Sequence, residues 1–78
     1  MPSSVPAPRR AIVTGGATNI GLAITEALLA AGVRVAVGQL HPEVAEPLVA
    51  RSGGRVVAFG VDVGDPAQCR AFVDRAAA

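Results

Sequence analysis

The sequence predicts an α/β fold, a small parallel sheet covered by helices and built in the order βαβαβα. Three observations carry this. The apolar runs AIV, VRVAV and RVVAFGV are short and nearly continuous rather than alternating, as in strands buried on both faces. Each run is followed by a segment with helical periodicity or a helix start signal. The glycine-rich stretch TGGATNIGLAI stands where the first strand gives way to the first helix.

Arg10 to Thr14 reads as the first strand. Apolar residues then recur at Ile20, Ala23, Ile24, Ala27, Leu28 and Ala31, the stripe of one helix face, and Gly32 ends that helix. Val33 to Val37 is β-branched and apolar, the second strand. His41-Pro42-Glu43 has the form of a helix start and Arg51-Ser52-Gly53-Gly54 of its end. Pro47 between them would remove a backbone donor and clash with the preceding turn. This helix therefore either starts later than Pro42 or bends.

Arg55 to Val61 is the third strand. Asp65-Pro66 starts the last helix with an N-cap carboxylate and a Pro at its first position. Cys69, Phe72, Val73 and Ala76 mark its buried face, and Arg70 and Asp74 are spaced as an exposed ion pair. Right-handed crossovers place the strands in the spatial order 3-2-1. The first strand is then an open, apolar edge, and the isolated chain is expected to associate and to dissolve poorly.

Composition narrows the function classes. The 78 residues make one small domain, and a chain of this size buries only about 60% of the surface it exposes when unfolded. The net charge is +1, and the seven cations, all Arg, are scattered with no aromatic interleaving, so nucleic-acid binding has no support. No apolar run reaches the roughly 18 residues of a membrane span. The opening MPSSVPAPR, residues 1–9, lacks the apolar core of a signal peptide and is expected to be a disordered leader to a domain over 10–78. The single cysteine excludes an internal disulfide and a Cys-based metal cluster, and points to the cytoplasm. No metal-ligating set is present. The chain has no Lys, Tyr or Trp and only one His, so it assembles little acid-base machinery. His41 has no evident carboxylate partner and is expected in solvent, as is Gln39.

A turn alone needs fewer glycines than Gly15, Gly16 and Gly21. At the carboxyl end of a parallel strand, the free N–H groups and positive dipole end of the following helix favour an anion, most naturally a phosphate. Glycines let backbone and ligand approach without an intervening Cβ. The P-loop pattern fails, because Leu22-Ala23 stands where its Lys and hydroxyl residue belong. The G-x-G-x-x-G pattern fails because Ala17 fills its middle glycine position.

The loop Thr-Gly-x-x-x-Gly-x-Gly remains, with Thr14, Gly15 and Gly21 in register. Here AIVTGGATNIGLAITEALLAAGVRVAV resembles the opening of the short-chain dehydrogenases/reductases, and FGVDVGDP resembles that family's third strand. The likeness runs from about Arg10 to the C-terminus. It implies a Rossmann-type three-layer α/β/α fold and an NAD(P)-dependent oxidoreductase acting on an alcohol or carbonyl compound. It further implies that this chain is the N-terminal, dinucleotide-binding half of such an enzyme, with the catalytic Asn, Ser and Tyr-x-x-x-Lys elsewhere and no catalytic residue here. The chain alone is then expected to be inactive, and the full-length parent to be a homo-oligomer. A non-catalytic nucleotide-binding or interaction module remains the alternative.

By the same resemblance, the cofactor-binding residues are Gly15, Thr18, Asn19, Ile20, Gly21, Gln39, Asp62 and Val63. Ile20 would hold the pyrophosphate through its N–H, Asp62 would accept from the adenine amino group, and the Val63 backbone would read the ring. Asn19 replaces the family's middle glycine, and Asn is the non-glycine residue best suited to positive φ. Gln39 stands where a carboxylate would select NAD, and Thr18 where NADP-preferring relatives often carry a base, so both cofactors stay open. Without that context Asp62 reads as a strand-end acid capping a turn.

Overall fold

A computed structural model of the chain describes residues 10–77, so the expected leader lies outside the described residues. The elements are β1 (Arg10–Thr14), α1 (Asn19–Ala30), β2 (Arg34–Gln39), a 3-10 turn (Pro42–Ala45), α2 (Glu46–Arg51), β3 (Val56–Gly60) and α3 (Pro66–Ala77). The strands form one parallel sheet ordered β1-β2-β3, the expected order read from the other edge. Thr14 lies beside Gly38 and Gln39 beside Gly60, so the carboxyl ends of all three strands share one edge.

Alternation along β2 separates two cores. Val35 and Val37 pack with Val56, Ala45 and Leu48 beneath Leu22, Leu28 and Leu29, so α1 and α2 cover that face. Ala36 packs on the other face with Val61 and Phe72, beneath α3. This is the predicted three-layer arrangement. β2 reaches two residues past Val37, because Gly38 and Gln39 continue the ladder with β3 despite their low strand propensity.

Two buried faces differ from the sequence pattern. On α1 the sheet meets Leu22, Thr25, Leu28 and Leu29, whereas Ala23, Ala27 and Ala31 are exposed, as are Ile20 at 78% and Ile24. The helix is so rich in Ala, Leu and Ile that two adjacent faces carry equal apolar spacing. Its rotation is set by the glycine loop, which draws Thr25 beneath Gly16. The Thr25 hydroxyl is fully buried and donates to the Gly21 carbonyl at 2.9 Å, so its polarity is satisfied inside its own helix. On α3, Cys69, Phe72 and Ala76 face inward, but Val73 is 50% exposed. The contact stripe is narrow, and Val73 lies about 100° round the helix from Phe72.

The local stops are chemical. Pro47 is no kink: α2 begins at Glu46, so Pro47 sits in a first turn that needs no N–H, after the 3-10 turn. The Ser52 hydroxyl donates to Val49 O at 2.8 Å and accepts from Val56 N–H at 3.1 Å, joining the end of α2 to the start of β3. Gly53 and Gly54, at φ 67° and 86°, make the turn between them. Asp65 caps α3 by accepting from Ala67 N–H at 2.9 Å, with Pro66 next in line. The Arg70–Asp74 spacing closes no ion pair; the pairs among the described residues are Arg51–Glu26 at 2.7 Å and His41–Glu43 at 3.7 Å, both exposed.

Phe72 is the only large side chain α3 buries. It packs against the bare backbone of Gly38, where a Cβ would lie 2.8 Å from its ring, and beside Phe59 at 5.6 Å between centroids. Phe72→Ala is expected to lower the unfolding free energy by about 3–5 kcal/mol. Urea unfolding followed by circular dichroism checks this, and an unchanged midpoint would contradict the two-sided core.

Candidate functional site

β1 delivers the chain to Gly15, whose φ of 65° turns it away from the sheet. Gly15 N–H donates to the Gly38 carbonyl at 2.8 Å, extending the β1–β2 ladder into the loop. Gly16 is buried, and a Cβ there would lie 2.8 Å from Thr25 Oγ1 and 2.9 Å from Val37 Cγ2. Ala17 N–H donates to Gln39 Oε1 at 3.3 Å. Thr18 is extended, Asn19 adopts φ 51°, and Leu22 N–H donates to Thr18 O at 3.1 Å to open the helical ladder. The left-handed turn required of the middle position is thus made by Asn19 itself. A Cβ on Gly21 would strike the Gly15 carbonyl, at 2.7 Å from its carbon. Gly21 is therefore required by the loop rather than by the strand below.

The electrostatics follow from this path. The N–H groups of Asn19, Ile20 and Gly21 precede the first helical bond and make none among the described residues. The Thr18 side chain does not cap them, and no acid lies in the first turn of α1. Thr18, Asn19 and Ile20 are exposed around these amides. The positive end of the α1 dipole therefore faces solvent uncompensated, a setting that suits an anion.

Gln39 is half-buried, not exposed as its polarity suggested, because its amide turns in to the loop. Its carbonyl accepts from Val61 N–H at 2.9 Å, which brings the chain after β3 to the same edge. Asp62 Oδ1 accepts from Gly64 N–H at 2.9 Å, and Asp62 N–H donates to Gln68 Oε1 at 3.0 Å. Asp62 thus does cap a turn, which leaves its Oδ2 without a hydrogen bond among the described residues. Val63 is exposed, and its carbonyl lies 3.5 Å from Cys69 Sγ. The structure sets Gly21 against the Gly15 carbonyl, ties Gln39 to the loop through Ala17, leaves Thr18, Asn19 and Ile20 on the open rim, and links Asp62 and Val63 to Gln39 through Val61.

Ala17, Thr25 and Gly38 also shape the site, and sequence reasoning passed over them. Only Gly38 carried a signal, since glycine inside a strand marks close backbone approach. His41, expected without a carboxylate partner, has Glu43 beside it, both in solvent. No group of His, Cys, Asp and Glu among the described residues could hold a metal ion, and no helix there is long and apolar enough to cross a membrane. A concavity of about 540 Å³ opens at the opposite, amino edge of the sheet, walled by Arg10, Arg34, Arg55, Ile12 and Val57. It has none of the freed amides of the carboxyl edge.

The sequence profile of the short chain dehydrogenase family matches residues 9–78. The chain is 46% identical over 68 residues to a probable oxidoreductase of Streptomyces lividans, covering 82% of this chain and 23% of that protein. It is 42% identical over 62 residues to a 2,5-dichloro-2,5-cyclohexadiene-1,4-diol dehydrogenase of Sphingobium indicum, covering 80% and 25%. The chain thus spans about a quarter of the length of these curated relatives. A Burkholderia phymatum short chain dehydrogenase/reductase, solved in complex with NAD, shares the fold with TM-score 0.80 at 24% identity, covering 88% of this chain and 26% of that one.

Gly21→Ala is expected to destabilise the chain by about 1–3 kcal/mol through overpacking against Gly15. It should shift the amide resonances of residues 15–19 while leaving α3 unchanged. Wild-type stability with an unmoved loop would contradict the contact.

Proposed function

The chain belongs to the short-chain dehydrogenase family, and on that premise we propose that residues 10–78 form the dinucleotide-binding part of an oxidoreductase acting on an alcohol or carbonyl compound. The observation that carries the reading is the cradle at the start of α1: amides without partners among the described residues, no acid beside them, and a loop so tightly packed that Gly16 and Gly21 have no room for a Cβ. The diphosphate of a nicotinamide dinucleotide fits this donor set. Gly15, Thr18, Asn19, Ile20 and Gly21 would hold it, with the Ile20 N–H directed at a phosphate oxygen. The exposed Ile20 side chain would then be covered by ligand. Gln39 would meet the adenosine ribose, the free Oδ2 of Asp62 the adenine amino group, and the Val63 backbone the ring edge. Asp62 keeps that oxygen available because Gly64 uses only the other one.

The coenzyme supplies hydride transfer. This chain's residues bind and orient it, and none of them moves a proton on the substrate: the sequence holds no Tyr and no Lys. We therefore assign no catalytic residue and expect no turnover from the 78 residues alone. The same composition favours, as second reading, a nucleotide-binding module without chemistry. Substrate turnover and homo-oligomerisation belong to the whole enzyme, which we place in the cytoplasm.

Titration of the full chain against NADH and NADPH, read by coenzyme fluorescence, tests the proposal. At least one is expected to bind saturably, and Asp62→Ala to weaken it by about fivefold, the worth of one hydrogen bond. Absence of binding to either, or indifference to Asp62→Ala, would contradict the assignment.

A further inference from the structure

We propose that Thr25 is a positioning residue for the anion cradle: its buried hydroxyl is the spacer that fixes how deep the glycine loop lies between α1 and the sheet, and with it where the leading amides of α1 point. The effect on coenzyme rests on the dinucleotide reading above; the spacing itself does not.

Thr25 is fully buried, in a layer otherwise made of apolar side chains such as Leu22, Leu28, Val13 and Val37. A hydroxyl gains nothing from such a place, and without a partner it costs free energy there. Its partner is the Gly21 carbonyl at 2.9 Å, four residues back in the same helix. The helical ladder offers that carbonyl a backbone N–H in any case, so the carbonyl has no need of the hydroxyl. Valine, with the same branching at Cβ, would leave no polar group unpaired. What threonine supplies and valine does not is an oxygen in place of a methyl at one point of this layer.

That point faces the loop. A Cβ on Gly16 would lie 2.8 Å from Thr25 Oγ1, 2.9 Å from Val37 Cγ2 and 3.1 Å from Val13 Cβ. Gly16 is therefore held between α1 on one side and β1 and β2 on the other. Its neighbour Gly15 meets Gly21, which precedes Thr25 by one turn on the same flank of the helix. A methyl is bulkier than a hydroxyl, so a methyl at the Oγ1 position would press on Gly16. Val37 is fully buried and Val13 lies beside it in the ladder, so the sheet side does not yield. Thr18, Asn19 and Ile20 are exposed, so the loop side does. Crowding is thus relieved outward, with little effect on the core and with displacement of the amides that open α1.

The test compares Thr25→Val and Thr25→Ser in the full chain by thermal unfolding, by the amide resonances of the free protein, and by NADH and NADPH fluorescence titration. Thr25→Ser keeps the oxygen and loses a buried methyl, so its Tm should fall by about 4–8 °C while coenzyme affinity holds within about twofold and the amides of residues 15–21 stay near their wild-type positions. Thr25→Val should melt within about 3 °C of wild type, yet shift those amides and weaken coenzyme about tenfold. The two variants thus exchange rank between stability and binding, which a threonine with a purely structural role would not produce. Wild-type affinity with unmoved amides in Thr25→Val would overturn the proposal, as would a loss of affinity in Thr25→Ser equal to that in Thr25→Val. Failure of the wild type to bind either coenzyme would instead refute the dinucleotide reading, and the amide resonances of the free variants would still decide the spacing role.

Discussion

The first turn of α1 lies against the carbonyl of Gly15 with no room for one methyl group. That contact governs the rest. Bringing the helix this close forces the chain between them into a short arc, which runs through positive φ at Gly15 and Asn19. The arc leaves the leading helical amides pointing outward with nothing to receive them. It also rotates α1 so that Thr25, not Ile24, lies under the loop. An anion-suited surface and a partly apolar outer helix face are thus two consequences of one steric restriction.

The two ends of the sheet are chemically unlike. At the carboxyl edge lie backbone amides, a half-buried glutamine and, beyond Val61, a carboxylate with one oxygen that makes no hydrogen bond among the described residues. At the amino edge, three arginines begin or precede adjacent strands around an apolar hollow. Arg10 reaches the carbonyl of Ala77 and Arg55 the carbonyl of Leu29, so two of these cations are engaged with helix ends. Parallel strands make this division possible, because all their carboxyl ends arrive together and the crossing helices begin there. Phe72 holds the division from the opposite face by resting on Gly38, the residue whose carbonyl receives the loop.

Much of this was legible in the sequence where one residue type admits one backbone solution. Asp65-Pro66 could only begin a helix, Gly32 ended one, and three apolar runs with helical spacers implied a parallel sheet in a known order. The Gly15–Gly21 requirement was also visible as a pattern. Helix rotation was not. NIGLAITEALLA has apolar residues on adjacent faces, and only the loop contact selects between them. The inward turn of Gln39 was equally hidden, because it depends on a hydrogen bond to a residue 22 positions earlier. Asp62 shows a third kind of ambiguity: it caps its turn, as a lone strand-end acid should, and still has an oxygen to offer.

If the amides of Asn19, Ile20 and Gly21 receive a dinucleotide's diphosphate, titration of the ¹⁵N-labelled full chain with ADP-ribose, which carries the diphosphate and no nicotinamide, tests it most directly. Saturable downfield shifts are expected at those three amides, larger than at any residue of the amino edge. Shifts confined to the arginine-walled hollow, or none at the start of α1, would contradict it.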